Sequence, residues 1–449
     1  MSVPMEQSQM PLPPARMLGN PVEGKGRLRR SGRHGWTKVP IMVVLACVMV
    51  TLFGGDIQQP KVLVPAKPLR QTVKPIGPFI EAPLSPNQVD KLHHLSAYLT
   101  DKQVADMYLS RMTLDQKLGQ LFMVQYWGYS YSDDLQYMIH DQYVGGVIMY
   151  GAQMHTFKQT KDDISRMQKE ARMPLLISSD EEGGFVQRIM NIYGDRPGAL
   201  ETYQTGKIEN AAKLGHSIAH DLRALGINTD LAPDVDVPVV TGPDQYLRTW
   251  GYTPQSVITW GGTYLRAVQS DGEIACLKHF PGLGAASTDA HQDLPVVNRS
   301  QDELYSTELA PFKYFVQSHN KLENPGMIMT TDVLMPAIDP SMPGELSHTF
   351  VTDILRHKFG YNGVVITDAL YMLGIAKKWS IPQAVVLAIE AGNDMILGVR
   401  DSGVLSDSIA ALKQAIADGD LAVARINQSV ERIITLKIRY HIWPRIPQL

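Results

Sequence analysis

At 449 residues, 44% hydrophobic and 19% charged, the chain can bury a large core and has the balance of an ordinary globular protein, not of a disordered one. A formal charge of −3 leaves no basis for nucleic-acid binding through overall charge. Its two cysteines, Cys47 and Cys276, exclude a disulfide framework and a thiolate metal site.

Residues 1–38 are rich in Pro, Gly and Arg and are expected to be a disordered tail, with Lys25, Arg27, Arg29, Arg30, Arg33 and Lys38 gathered at its end. The run that follows, residues 39–55, holds no charge until Asp56. It is at the short edge of what spans a bilayer. A buried core helix is the alternative, but a core helix would not follow a disordered basic tail. No A-x-A cleavage site follows the run, and apolar sequence continues past Cys47. The expectation is therefore an uncleaved single-pass anchor in the cell membrane, basic tail cytoplasmic and the remainder outside; cleavage would instead release a secreted protein. Residues 56–88 carry Pro60, Pro65, Pro68, Pro75, Pro78, Pro83 and Pro86, a spacing that favours an extended stalk.

From residue 89 to 449 the pattern becomes one of helices alternating with short apolar runs. Thr113 and Gln116 form an expected capping box. Eight strands are predicted: Gln120–Gln125, Gly145–Tyr150, Pro174–Ser178, Asn228–Leu231, Ile274–Leu277, Gly326–Thr330, Gly363–Thr367 and Asp394–Gly398. Helices are predicted between them at Thr156–Arg172, Ile208–Leu225, Pro254–Ser270, Gln301–Ser318, Thr349–Phe359 and Pro382–Ala391, with a closing helix over Leu421–Tyr440. Apolar strands separated by helices imply a parallel α/β sheet, and eight repeats imply a closed (β/α)8 barrel of the TIM type.

Polar residues gather where each predicted strand ends, the edge at which such a barrel builds its active site. Asp180, Glu181 and Glu182 follow the third strand, and Asp230 and Asp234 lie at the fourth. Lys278 and His279 come at the fifth, Asp332 after the sixth and Asp368 after the seventh. The pattern suggests an enzyme acting on a hydroxyl-rich substrate. Asp368, directly after Val364-Val365-Ile366-Thr367, is placed either as a rigidly held nucleophile or as a cap of the next helix. Asp289 and His291 stand two apart, a spacing that puts both on one face of extended backbone, where the carboxylate would raise the basicity of the imidazole.

Lys278 to Pro295 reads K-H-F-P-G-L-G-A-A-S-T-D-A-H-Q-D-L-P. This stretch resembles the K-H-F-P-G-H-G…D-S-H loop of the β-N-acetylglucosaminidases of glycoside hydrolase family 3, with Leu283 in place of a histidine and Ala290 in place of a serine. Gly363 to Leu370 is similar to that family's G-V-V-x-[ST]-D-x-L nucleophile segment. The resemblance implies that Asp368 forms a covalent glycosyl-enzyme and that His291, held by Asp289, serves as acid and base. It further implies sugar binding by Asp180 and Arg188 in D-E-E-G-G-F-V-Q-R, by Arg248 in Tyr246 to Gly251, and by Lys278 and His279. Phe185 replaces an arginine of that pattern, and Asp332 stands where relatives often carry histidine.

The reading that follows is a membrane-tethered, retaining exo-β-N-acetylglucosaminidase of muropeptides or chitin-type oligosaccharides, with neither cofactor nor metal. One alternative is a phosphorylase, because a histidine acid/base does not repel phosphate. The other is a catalytically weak sugar-binding protein on a stalk, motivated by Leu283, Phe185 and Asp332.

Overall fold

The computed structural model describes residues 98–242 and 245–445. The expected tail, membrane anchor, stalk and domain start at residue 89 lie outside the described residues. Among the described residues, no helix is long and apolar enough to cross a membrane.

Eight strands form where apolar runs were expected: β1 Phe122–Val124, β2 Gly146–Ile148, β3 Leu176–Ser179, β4 Thr229–Asp230, β5 Ile274–Phe280, β6 Met327–Thr330, β7 Val364–Ala369 and β8 Met395–Leu397. They pair in sequence order, all parallel. Phe122 opposite Ile396 and Met123 opposite Leu397 join β1 to β8 and close the barrel. Almost every strand residue is buried, because side chains on one face fill the barrel and those on the other pack under the helices.

Differences from expectation fall at boundaries and have local causes. β1 starts later because Gln120 ends the helix Leu114–Gln120, whose Thr113–Gln116 capping box forms as expected. β5 runs three residues further than expected, carrying Lys278 and His279 inside the strand, and β7 likewise takes in Asp368. The single helix expected over Gln301–Ser318 is two, Gln301–Ser306 and Ala310–Gln317. Thr307 leaves helical geometry between them, at φ −122° and ψ −75°, and Pro311 lies at the second start. Thr349–Lys358 is wound as a π-helix rather than an α-helix.

A further helix, Ser402–Asp418, is capped by the Asp401 side chain and stopped by Gly419 in the left-handed region (φ 85°). The closing helix Val423–Arg439 brings Arg425 and Arg432 to Asp394, which Arg356 also contacts, at the edge of the barrel opposite the candidate site. The same helix buries Lys437, which donates to the Gln120 side chain and the Pro174 carbonyl. These contacts belong to the floor of the barrel, away from the edge where chemistry is built, and serve stability.

Candidate active site

At the carboxyl edge of the strands, a cavity of about 250 Å³ is lined by Asp180, Arg188, Arg248, Lys278, His279, His291 and Asp368, with Tyr150, Phe185 and Tyr371 among its walls. Seven of the eight residues singled out from sequence therefore share one cavity. Asp289, the eighth, reaches it through His291. Lys278 and His279 are neighbours that would point to opposite faces of a regular strand. The ladder between β5 and β6 shifts register between Leu277 and Phe280, and such an irregularity re-aims side chains.

A buried ion-pair network forms one side. Lys278 Nζ donates to Asp180 Oδ1 at 2.7 Å and lies 2.7 Å from Glu182 Oε1. Arg248 grips Glu182 with both arms, at 2.9 and 2.8 Å. Burial opposes the charge on Glu182, but Arg248 and Lys278 outweigh it and hold the carboxyl well below the usual range. Burial likewise opposes the Lys278 ammonium, which Asp180 and Glu182 keep firmly protonated. Asp180 is held low against burial by Lys278 and Arg188, whose Nη2 is 4.0 Å away. Charge complementarity of this kind fixes hydrogen-bonding groups in place for a polyhydroxylated ligand.

His279 Nδ1 is 2.8 Å from Asp236 Oδ2, and Arg248 lies 3.3 Å from its Nε2. The bond to Asp236 raises the imidazole pKa in spite of burial. Asp236 Oδ1 also accepts the Leu283 N–H at 2.8 Å, which draws the Pro-Gly-x-Gly turn onto the segment that follows β4. Gly284 permits that approach, since a Cβ there would come within 1.8 Å of the Val237 carbonyl oxygen. Leu283, where the resembled loop has histidine, is 4% exposed and packs into the core.

Asp234, Asp236 and His279 bring one donor atom each within 4.8 Å of one another and could hold a metal ion. No metal spacing was expected from sequence, because these donors come from two separate segments, Asp234 and Asp236 past β4 and His279 in β5. Arg248 already supplies positive charge there, 3.5 Å from Asp234. Burial and then Asp236 push the Asp234 carboxyl up to about 8.

The opposite side carries the groups suited to bond making. Asp368 Oδ1 accepts the Ala369 N–H at 2.7 Å, and Thr331 Oγ1 donates toward Oδ2 at 3.4 Å. Asp289 Oδ1 lies 3.0 Å from His291 Nδ1 and also accepts the His291 N–H at 2.8 Å. The dyad is thus closed by a tight turn, not by the extended backbone expected. With Nδ1 engaged, Nε2 is left for proton exchange.

Asp332, fully buried, stands beside this pair: its Oδ1 is 3.3 Å from the same Thr331 hydroxyl, and a Cβ on Gly374 would come within 2.1 Å of its Oδ2. Burial, then the nearby Asp368 charge, push the Asp332 carboxyl up to about 8, so at neutral pH it holds a proton. Asp332 is thus itself the perturbed group. Glu182, Asp236 and Thr331 were not among the predicted site residues. Glu182 had stood only among the polar residues after the third strand, and Asp236 left a trace in the period-two D-V-D of residues 234–236.

Residues 113–436 match the glycosyl hydrolase family 3 N-terminal domain. Beta-hexosaminidase A of Pseudoalteromonas piscicida is 29% identical over 77% of this chain and 63% of its own length. Beta-hexosaminidase LpqI of Mycobacterium tuberculosis is 30% identical over 72% of this chain and 82% of its own. A solved family 3 beta-N-acetylglucosaminidase from Paenibacillus sp. FPU-7 is 34% identical, with a TM-score of 0.67 over 74% of this chain and 63% of that one. The chain thus spans under two thirds of the first and third of these proteins.

Proposed function

The chain belongs to glycosyl hydrolase family 3, and on that premise we propose that it is a retaining exo-β-N-acetylglucosaminidase with Asp368 as nucleophile and the Asp289–His291 dyad as acid and base. The observation that carries this reading is that Asp368, on a rigid strand, and His291, steadied by a carboxylate, line one small cavity with Asp180, Arg188, Arg248, Lys278 and His279.

In the first step the Asp368 carboxylate attacks the anomeric carbon while His291 Nε2–H protonates the departing oxygen. The glycosidic bond breaks and an ester to Asp368 forms. In the second step neutral His291 takes a proton from water, whose oxygen attacks the same carbon and frees Asp368. Two inversions retain the configuration. The His291 side chain is 68% exposed, which suits a group that trades protons with water. The ion-paired side holds the sugar hydroxyls and the acetamido group. A cavity of about 250 Å³ lies just below the usual span of ligand sites and suits one terminal ring, which supports exo action. Residues 39–55 serve as the membrane anchor, with the barrel outside the cell and muropeptides or chitin-type oligosaccharides as substrates.

Full-length protein assayed on a chromogenic β-GlcNAc glycoside, beside the β-glucoside, tests the reading. Selective, phosphate-independent release from GlcNAc is expected. Release that requires phosphate would make it a phosphorylase, and ligand binding without turnover a sugar-binding protein.

A further inference from the structure

The barrel floor carries more positive charge than its carboxylates balance. Asp394, fully buried, faces Arg356, Arg425 at 3.7 Å and Arg432 at 3.0 Å, three guanidinium groups for one carboxylate. Burial first, and after it the neighbouring guanidinium groups, lower the pKa of Arg356 and Arg425, although Asp394 opposes this. Beside this cluster, at the edge opposite the reactive cavity, lies a cleft of about 390 Å³, a volume within the usual span of ligand sites.

One wall is the closing helix. Arg432, Thr435 and Arg439 follow one another at helical spacing, which puts them on one face, and all three line the cleft. Arg432 gives Nη1 to Asp394 and makes no other side-chain hydrogen bond among the described residues. The Arg439 side chain makes neither a hydrogen bond nor an ion pair among them. The Thr435 hydroxyl is buried without a partner. A basic residue at the carboxyl end of a helix needs no ligand, since the helix dipole favours it. That accounts for Arg439, but not for Arg432 two turns earlier or for the orphaned hydroxyl. Residues 362–364 form another wall, and the N–H groups of Asn362 and Gly363 donate to no protein acceptor among the described residues. Lys102, on the helix Asp101–Leu109, adds a further cation. It pairs with Glu431, the acid in the lining, and lies 3.6 Å from Asp106.

We propose that this floor cleft is an anion site that takes a phosphoryl group, held between Arg432 and Arg439 with the Thr435 hydroxyl and the 362–363 backbone as further donors. Arginine forks, a hydroxyl and successive backbone N–H groups are the donors that phosphate oxygens accept from, and a carboxylate has too few oxygens to engage them all. A phosphoryl anion also offsets the surplus charge around Asp394. The site uses none of the residues of the reactive cavity, so it stands or falls apart from the glycosidase reading.

Two probes, inorganic phosphate and the phosphodiester of two glycerols, separate a free phosphoryl group from a lipid-type headgroup. Each is titrated with the full-length protein and followed by phosphorus NMR, with ionic strength held constant by chloride. Broadening of at least one resonance is expected, and which one broadens identifies the source. Arg439→Gln, at an exposed position, should weaken binding about tenfold or more, the effect of one charge-assisted hydrogen bond, and leave the melting temperature without ligand unchanged. Thr435→Val should weaken binding as well, whereas Arg188→Gln, in the reactive cavity, should leave it as it was. No broadening of either probe, binding that survives Arg439→Gln, or binding lost in Arg188→Gln instead would overturn the proposal.

Discussion

Replacing Glu182 by Gln keeps the volume of the side chain and removes the charge on which Arg248 and Lys278 converge. Glu182 is 5% exposed and takes three contacts shorter than 3.0 Å from those two cations. A Gln retains one acceptor oxygen and turns an amide N–H₂ toward a guanidinium or an ammonium. Lys278 keeps Asp180, and Arg248 loses its two-armed carboxylate while keeping, among its contacts, Asp234 at 3.5 Å, a carboxyl that burial tends to neutralise. Breaking a buried pair from one side costs about 3–5 kcal/mol. At about 2 °C per kcal/mol for a domain this large, the melting temperature should fall by roughly 6–10 °C.

The pH dependence carries a sign. The folded-state pKa of Glu182 lies below its ordinary 4.5, so its contribution is present above that value and is lost as pH falls below it. Scanning calorimetry of the two proteins at pH 7 and pH 4 measures both. The gap should be full at pH 7 and narrower at pH 4. A melting temperature within about 1 °C of the parent at pH 7, far inside the expected shift, would refute the idea that Glu182 organises the site.

Other substitutions act on separate parts of the site and the floor. His291→Ala should lower kcat about 10²–10⁴-fold on a disaccharide, and less on a glycoside whose leaving group needs no proton; equal losses on the two would remove His291 from the acid role. Asp332 has a raised folded-state pKa, so its stabilisation is complete below its ordinary 3.8 and disappears as pH rises through about 8. Against Asp332→Asn, wild type should lose stability between pH 4 and 8 at up to about 1.4 kcal/mol per pH unit, read by denaturant titration. Lys437 has the opposite sign. Burial alone lowers its pKa from 10.5 to about 7, so the unfolded chain binds the extra proton between those values. Stability should therefore rise over that window in wild type and stay flat in Lys437→Met.

The barrel was legible because each strand is buried on both faces and so appears as a short apolar run bounded by helix-length segments. Strand ends were less legible where chemistry intrudes. A Lys-His pair does not look like strand, yet β5 runs through it to Phe280. The candidate nucleophile and the cavity's cations could be found because most sit at or just past a strand end, and the dyad because of its D-x-H spacing in a distinctive loop. Their partners could not. Glu182, Asp236 and Thr331 matter through contacts between segments that follow different strands, and linear spacing says nothing of those. Leu283 shows the converse: it stood out as a departure within a catalytic loop, and the fold gives its side chain to the core and its N–H to Asp236.

The proposed reaction is a double displacement through Asp368. Deglycosylation needs His291 as a base, so His291→Ala supplied with an activated β-GlcNAc glycoside should accumulate the ester. Quenching that reaction and weighing the intact protein, then its peptides, reads the claim directly. The expected result is an added mass of one GlcNAc residue, confined to the peptide that contains Asp368 and absent when Asp368→Ala is added. Turnover with no adduct, or an adduct on another residue, would contradict it.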